Sequence, residues 1–331
     1  MIYDPAPGMR VAVIDIGSNS TRALVAEVGP RAEGAKIEEL ARRARVTRLG
    51  RGLETSGSLA TEAINEVSEA VGEYLEIARE LGAEQIAAFA TSAVRDADNG
   101  DAFKAEMRER FALDVRVLGG DEEARMTWIG ARHSDDGHDR EDAPTLVADI
   151  GGGSTELITG SGREPGFHVS LQLGVVRQSE RHLLHDPPAG VELEALAGDV
   201  QRTLDAVLAG REGIAVERAI AVAGTPFSLA AIERADRGAA DPTARVEGHV
   251  LELSRIQRLL SRLACLPLVE RAEVPGLHAD RAPMIVAGTV ILINLMRSFG
   301  LAEVTVSQHD ILHGAALSAA AEPAPAPAND S

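Results

Sequence analysis

The residues Asp15-Ile16-Gly17-Ser18-Asn19-Ser20-Thr21 recur near mid-chain as Asp149-Ile150-Gly151-Gly152-Gly153-Ser154-Thr155. Each copy of this Asp-Ile-Gly-x-x-Ser-Thr pattern follows an apolar run, which reads as a buried strand running into a turn. Turns of this composition gather backbone N–H groups and hydroxyls into a nest that suits phosphate oxygens. Gly151, Gly152 and Gly153 let the backbone approach an anion without Cβ obstruction, and Ser154 and Thr155 add hydroxyl donors. Ser18, Asn19 and Ser20 offer the same chemistry from the first copy. A plain hairpin turn needs one glycine, not three followed by two hydroxyl residues. The aspartates before the glycines, Asp15 and Asp149, can hold a metal or position a water. Two copies imply two similar domains facing one anionic substrate.

Other residues suit the same chemistry. Glu122 and Glu123 open a helix, where acids also favour the helix dipole. Arg22 follows the first turn, and Arg95 follows Thr91-Ser92 at the end of a strand; each reads as an anion contact or as an exposed ion-pair partner. The basic stretch with Arg42, Arg43, Arg45, Arg48 and Arg51 either guides a chain-like polyanion or forms a solvated sheet edge. The pairs His182/His185 and His309/His313 have the spacing of metal ligands on a helix. Their neighbours are only weak oxygen-type donors, so both pairs read as structural or exposed, with His309-Asp310 as cleft lining. Cys265, in an apolar helix, reads as core.

These groups need a frame. Val11–Ile14 and Ala23–Val28 read as a hairpin around the first turn, and Thr145 to Thr159 repeats that hairpin. Apolar residues at Ile64, Val67, Val71, Leu75 and Ala78 have helical spacing over Thr61–Leu81, with Thr61 as its cap. Gln85–Ala90, Val115–Leu118, Val169–Leu173, Ala219–Ala223 and Val304–Val306 read as strands. Helices are expected at Asp101–Phe111, Asp121–Arg132, Val175–Leu184, Leu193–Leu208, Ser254–Ala264, Ala282–Phe299 and Ile311–Ala320. Alternating strands and helices make the class α/β. The polar stretch from Ser134 to Ala143 reads as a linker. It gives domains at 1–133 and 134–320, followed by a disordered Pro/Ala tail at 321–331.

At 331 residues the chain accommodates two cores. Aromatics at 3% leave no stacking platform for single-stranded nucleic acid, and a net charge of −18 excludes bulk nucleic-acid binding. That charge leaves room for a phosphate-rich substrate if arginines and a divalent cation gather in one cleft. Lys36 and Lys104 are the only lysines, so nearly all positive charge is arginine. No apolar run reaches the roughly 20 residues of a membrane span, and Met1–Arg10 shows no secretory pattern. One cysteine excludes an internal disulfide framework, and cytoplasm is the expected compartment.

With both turns placed, the chain resembles the exopolyphosphatase / guanosine pentaphosphate phosphatase (Ppx/GppA) family of the actin-like ATPase superfamily. The resemblance spans about Arg10 to Ala320. It rests on VIDIGSNSTR (Val13–Arg22), ATSAVRDADN (Ala90–Asn99), GDEEAR (Gly120–Arg125), DIGGGSTEL (Asp149–Leu157), AGT (Ala223–Thr225) and SQHDILHGAAL (Ser307–Leu317). It implies two actin-like (ribonuclease H-like) domains around a cleft, in the short form without a helical extension. It also implies a Mg²⁺ or similar cation near Asp149, with Glu156 and Asp15 beside it. Glu123, directly before the Ala-Arg pair, takes the general-base position, and Arg95 that of a phosphate-contacting arginine. The implied activity is Mg²⁺-dependent hydrolysis of terminal phosphoanhydrides, with inorganic polyphosphate as leading substrate and guanosine pentaphosphate (pppGpp) as alternative. A homodimer is possible within this reading. Rivals are a polyphosphate or nucleotide sensor without turnover, a filament-forming relative, and a kinase, for which Ala223-Gly224-Thr225 resembles an adenosine-side motif. Two departures bear on substrate preference: Arg281-Ala282-Pro283 lacks an acid after the arginine, and Ser307-Gln308 replaces Ser-Glu.

Overall fold

The computed structural model describes residues 8–29, 36–133, 143–162, 165–211, 214 and 216–321. All of the expected tail at 321–331 except Ala321, and all of the expected linker except Ala143, lie outside them. The first sheet contains β1 (Met9–Ile16), β2 (Ser20–Val28), β3 (Ile37–Val46), β4 (Gln85–Ala90) and β5 (Val115–Val117), in the order β3-β2-β1-β4-β5. The second contains β6 (Thr145–Ile150), β7 (Thr155–Gly160), β8 (Pro165–Leu171), β9 (Arg218–Val222), β10 (Val250–Glu252) and β11 (Glu303–Val306), in the order β10-β11-β9-β6-β7-β8. In both sheets a central strand pairs antiparallel with its hairpin partner and parallel with a later strand, β1 with β2 and β4, β6 with β7 and β9. The sequence repeat is therefore a repeat of topology, with β10 as an addition to the second copy.

Side-chain alternation sorts each sheet into two buried faces. Ile14 and Ile16 face a core shared with the Thr61–Glu80 and Gly100–Phe111 helices, whereas Val11 and Val13 face the opposite side. That opposite side is covered by the last helix, Ile311–Ala319, through Ile311, Leu312, Ala315 and Ala316. The Gly120–His133 helix packs Ala124, Trp128 and Ala131 on Val147, Ile158, Ile220 and Val222 of the second sheet. Each of these helices thus completes the core of the sheet on the other side of position 133. The two helices cross closely: a methyl on Gly314 would collide with the Met126 carbonyl, and one on Gly130 with the Asp310 carbonyl. This crossing ties the lobes together directly beneath the cleft.

Three local expectations are corrected. Thr61 is the first helical residue and Ala60 the N-cap, without a side-chain cap bond. Cys265 is exposed, because it caps the Leu253–Ala264 helix beyond the face formed by Ile256, Leu259 and Leu263. The single helix expected over Ala282–Phe299 is a 3₁₀ turn at Ala279–Arg281 followed by a helix at Ile285–Ser298; Pro283, which has no N–H to donate, sits in the break. A helix at Gly224–Asp236 and strand β10 were not expected, although Pro226 in the first helical turn is a start signal. None of the described helices is long and apolar enough to cross a membrane.

Candidate active site

Both glycine turns close in the same way: the Gly17 N–H donates to the Ser20 carbonyl at 3.1 Å, and the Gly151 N–H to the Ser154 carbonyl at 3.0 Å. The two turns meet. A methyl on Gly152 would sit 2.8 Å from the Asn19 nitrogen, and one on Gly153 would sit 2.7 Å from Ser18 Oγ. Ser18 Oγ in turn lies 3.0 Å from Ser92 Oγ, at the start of a short helix that follows β4. Ser18, Asn19, Ser20, Arg22, Thr91, Ser92, Gly151, Gly152, Gly153 and Ser154 all line one cavity, together with Asp15, Glu123, Asp149 and Glu156. Thr155 does not line it. Its hydroxyl donates to the Leu173 carbonyl, because the residue after Ser154 points to the opposite face of β7.

The charges of the two hairpins differ. Asp15 pairs across the β1–β2 ladder with Arg22, and Asp149 across β6–β7 with Glu156. Arg22 Nη2 holds Asp15 Oδ2 at 2.5 Å, and its Nη1 holds Asp310 Oδ2 at 2.5 Å. Burial penalises the Arg22 charge, but Asp310, Asp15 and Asp149 outweigh that penalty and raise its pKa. Burial raises the Asp15 pKa against the pull of Arg22; Asp310 is held below its usual value, since Arg22 and Arg42 outweigh burial. The second hairpin holds two acids and no cation of its own. Burial, then mutual repulsion among Asp149, Glu156 and Glu123, raises the carboxyl pKa of both Asp149 and Glu156. Ser170 Oγ donates to Glu156 Oε1 at 2.7 Å, while Asp15 Oδ1 is buried without a hydrogen bond. Asp149, Glu156 and Asp15, one of whose oxygens is unpaired, line this cavity with oxygen donors alone, the donor type a hard divalent cation such as Mg²⁺ takes.

Geometry separates the adjacent glutamates. Glu122 turns outward to Arg116 at 2.8 Å, whereas Glu123 is buried and reaches the cavity. Burial pushes the Glu123 carboxyl up to about 7 against the opposing effect of Arg95. Arg95 Nη1 donates to Glu123 Oε1 at 2.6 Å and to the Leu118 carbonyl at 2.7 Å. Arg95 is not part of the cavity wall. Its Nη1 fixes one oxygen of the glutamate, so in this structure Arg95 holds Glu123 from outside the wall.

The anion-facing arginine that the sequence reading missed is Arg281. It lines the cavity with Ala223, Gly224 and Thr225, and among the described residues it has no hydrogen-bonded or ion-pair partner. Burial, then the nearby Arg22, lowers its pKa to about 10. A half-buried guanidinium whose charge is offset only by the nearby Asp280 can receive an anion. The AGT and Arg281-Ala282-Pro283 motifs were visible, but only the fold brings them together. A second cavity continues from the first through Arg22, Gly224 and Arg281, and adds Arg42, Arg43, Arg45, Phe227 and Asp310. The basic stretch is thus both the edge strand β3 and a wall of this second cavity. Asp310 lines it, and His309 does not. His182 and His185 pair with Asp199 at 3.2 Å and Glu192 at 2.8 Å, away from the cleft.

Comparison with known proteins agrees with this arrangement. The chain is 34% identical over 333 residues to "Exopolyphosphatase 2" of Mycobacterium tuberculosis, covering 94% of this chain and 98% of the relative. It is 30% identical to "Exopolyphosphatase 1" of the same organism, over 93% of this chain and 88% of the relative. The crystal structure of the Aquifex aeolicus Ppx/GppA family member superposes with a TM-score of 0.76 at 29% identity, covering 94% of this chain and 97% of that one. This places the chain among two-domain actin-like folds. The family model described as Ppx/GppA phosphatase matches residues 24–322, and the chain belongs to that family.

Proposed function

We propose that this protein is an exopolyphosphatase, hydrolysing the terminal phosphoanhydride of inorganic polyphosphate and releasing orthophosphate. One observation carries this reading: two N–H- and hydroxyl-rich turns from separate sheets abut, and the Glu123 carboxylate opens into the same cavity. Terminal phosphates held by both turns and by Arg281 would present phosphorus to a water beside Glu123. With Oε1 fixed by Arg95, the second Glu123 oxygen is the acceptor for the water proton. A carboxyl pushed to about 7 is a competent base near neutral pH. Developing negative charge on the transferred group falls on backbone N–H groups, Ser18, Ser154 and Arg281, which are already in place. Asp149, Glu156 and Asp15 would hold the Mg²⁺, which when bound neutralises phosphate charge in phosphoryl transfer.

The second cavity bears on substrate length. Arg42, Arg43 and Arg45 extend the anion-binding surface beyond Arg22 and Arg281, as a repeating polyanion requires. Phe227 in that cavity is the observation favouring pppGpp, because its partly exposed ring offers a face to a guanine. Phosphate release from long polyphosphate, short polyphosphate, pppGpp and ATP, measured side by side with Mg²⁺, separates these readings. Fastest release from polyphosphate supports the proposal, and fastest release from pppGpp shifts it to the alternative. Binding without release from any of them identifies a sensor.

A further inference from the structure

The structure brings a third donor to a histidine pair whose spacing alone says little. His309 and His313 flank Asp310, the N-cap of the last helix, and their rings meet edge to face with centroids 4.3 Å apart. Glu39, on edge strand β3 and 274 positions from His313 in sequence, places Oε1 2.8 Å from His313 Nε2. One ligand atom from each of Glu39, His309 and His313 lies within 4.8 Å of the other two. The geometry points to a second cation site here, distinct from the all-oxygen set of the cleft and built for a borderline divalent ion such as Zn²⁺ or Co²⁺.

The donor set decides the class of ion. Two imidazoles and one carboxylate suit Zn²⁺ and its transition-metal neighbours, whereas Mg²⁺ prefers oxygen ligands alone. The surroundings match what such ligands need. His313 is fully buried, and its Nδ1, which accepts the Asp310 N–H at 3.4 Å, would take up the ring proton once Nε2 binds a metal and turn to Asp310 Oδ1, 4.0 Å away. His309 Nδ1 is buried without a hydrogen bond, 3.4 Å from Glu247 Oε1, so a second carboxylate stands behind the second ring. The 2.8 Å contact between Glu39 and His313 is a hydrogen bond whose proton occupies the place of the cation. Arg42, 3.5 Å from Glu39 Oε1, opposes a cation, but it has other acceptors at the Gln308 carbonyl (2.7 Å) and Asp310 Oδ2 (3.3 Å). An ion here would fasten the edge of the first sheet to the helix that returns from the second lobe.

The test is Zn²⁺ binding to the full chain by calorimetry with Mg²⁺ in excess, with Co²⁺ absorption as a report of imidazole ligation. The wild-type chain is expected to take up one such ion per chain and to unfold at higher temperature with it. His309→Ala and Glu39→Gln should each weaken binding at least about tenfold and abolish the thermal shift. Glu156→Gln, in the cleft, should leave this binding unchanged. No uptake by the wild-type chain, unaltered affinity in His309→Ala, or loss of binding in Glu156→Gln would each overturn the site.

Discussion

The β1–β2 and β6–β7 hairpins have the same turn, the same closing hydrogen bond and the same aspartate before the glycine, yet they carry opposite charge logic. Opposite Asp15 stands Arg22, which also grips Asp310; opposite Asp149 stands Glu156, with Glu123 nearby. The first hairpin is neutralised internally and is a fixed structural jaw. The second gathers buried acids of which Glu123 alone has an arginine partner, Arg95, so Asp149 and Glu156 depend on protonation or on a cation. A repeated device is therefore divided into an anchor and a reactive half.

Removing the proton acceptor should have the largest effect. Glu123→Gln is expected to lower turnover about 10²–10⁴-fold while leaving substrate binding nearly intact, measured as kcat against KM. Deleting the anchor tests the other side: Arg22→Met strands Asp15 as a buried, unpaired carboxyl and leaves Asp310 with Arg42 as its one arginine partner. It should cost about 3–5 kcal/mol in denaturant unfolding. A loss below 1 kcal/mol would contradict the structural role of the first hairpin.

The contrast also has a pH signature. Asp149, Glu156 and Glu123 have folded-state pKa values above their unfolded ones, so the folded protein binds extra protons between the usual carboxylate range and about 8. Without divalent cation, stability should therefore fall as pH rises through that window. Glu156→Gln or added Mg²⁺ should flatten the decline in Tm. Asp310, held below its usual value, works in the other direction, and its contribution is lost only as pH falls into the acid range. Catalysis should follow Glu123: activity falls below pH about 7 as the base protonates. Arg95→Met should move that limb to higher pH, because Arg95 lowers the Glu123 pKa. The smallest effect belongs to the crossing beneath the cleft. Gly314→Ala, forced against the Met126 carbonyl, should cost about 1–3 kcal/mol in thermal or denaturant unfolding and leave the pH profile in place.

Much of this was legible in the chain because it is local. Repeated Asp-Gly turns after apolar runs announce two equivalent hairpins, and the family resemblance puts Glu123, before Ala124-Arg125, in the general-base position. What the sequence hid is long-range. Arg281 lies far from either turn and becomes an anion receptor only when its loop folds onto Gly224. Arg95 follows a strand-end hydroxyl pair, as a phosphate ligand would, but it meets Glu123, 28 positions on. Thr155 shares the motif, yet strand alternation turns it away. The last helix belongs to the core of the first sheet although it ends the second half, because its apolar face fits the uncovered side of β1 and β2.

The most direct test of the central claim is hydrolysis of polyphosphate in ¹⁸O-labelled water with Mg²⁺, following both label and chain length in the wild-type protein and in Glu123→Gln. Water activated in the shared cleft predicts one labelled oxygen per released orthophosphate, chains shortened one residue at a time, and near-complete loss of both in the variant. Unlabelled phosphate, internal chain cleavage, or full activity in Glu123→Gln would contradict it.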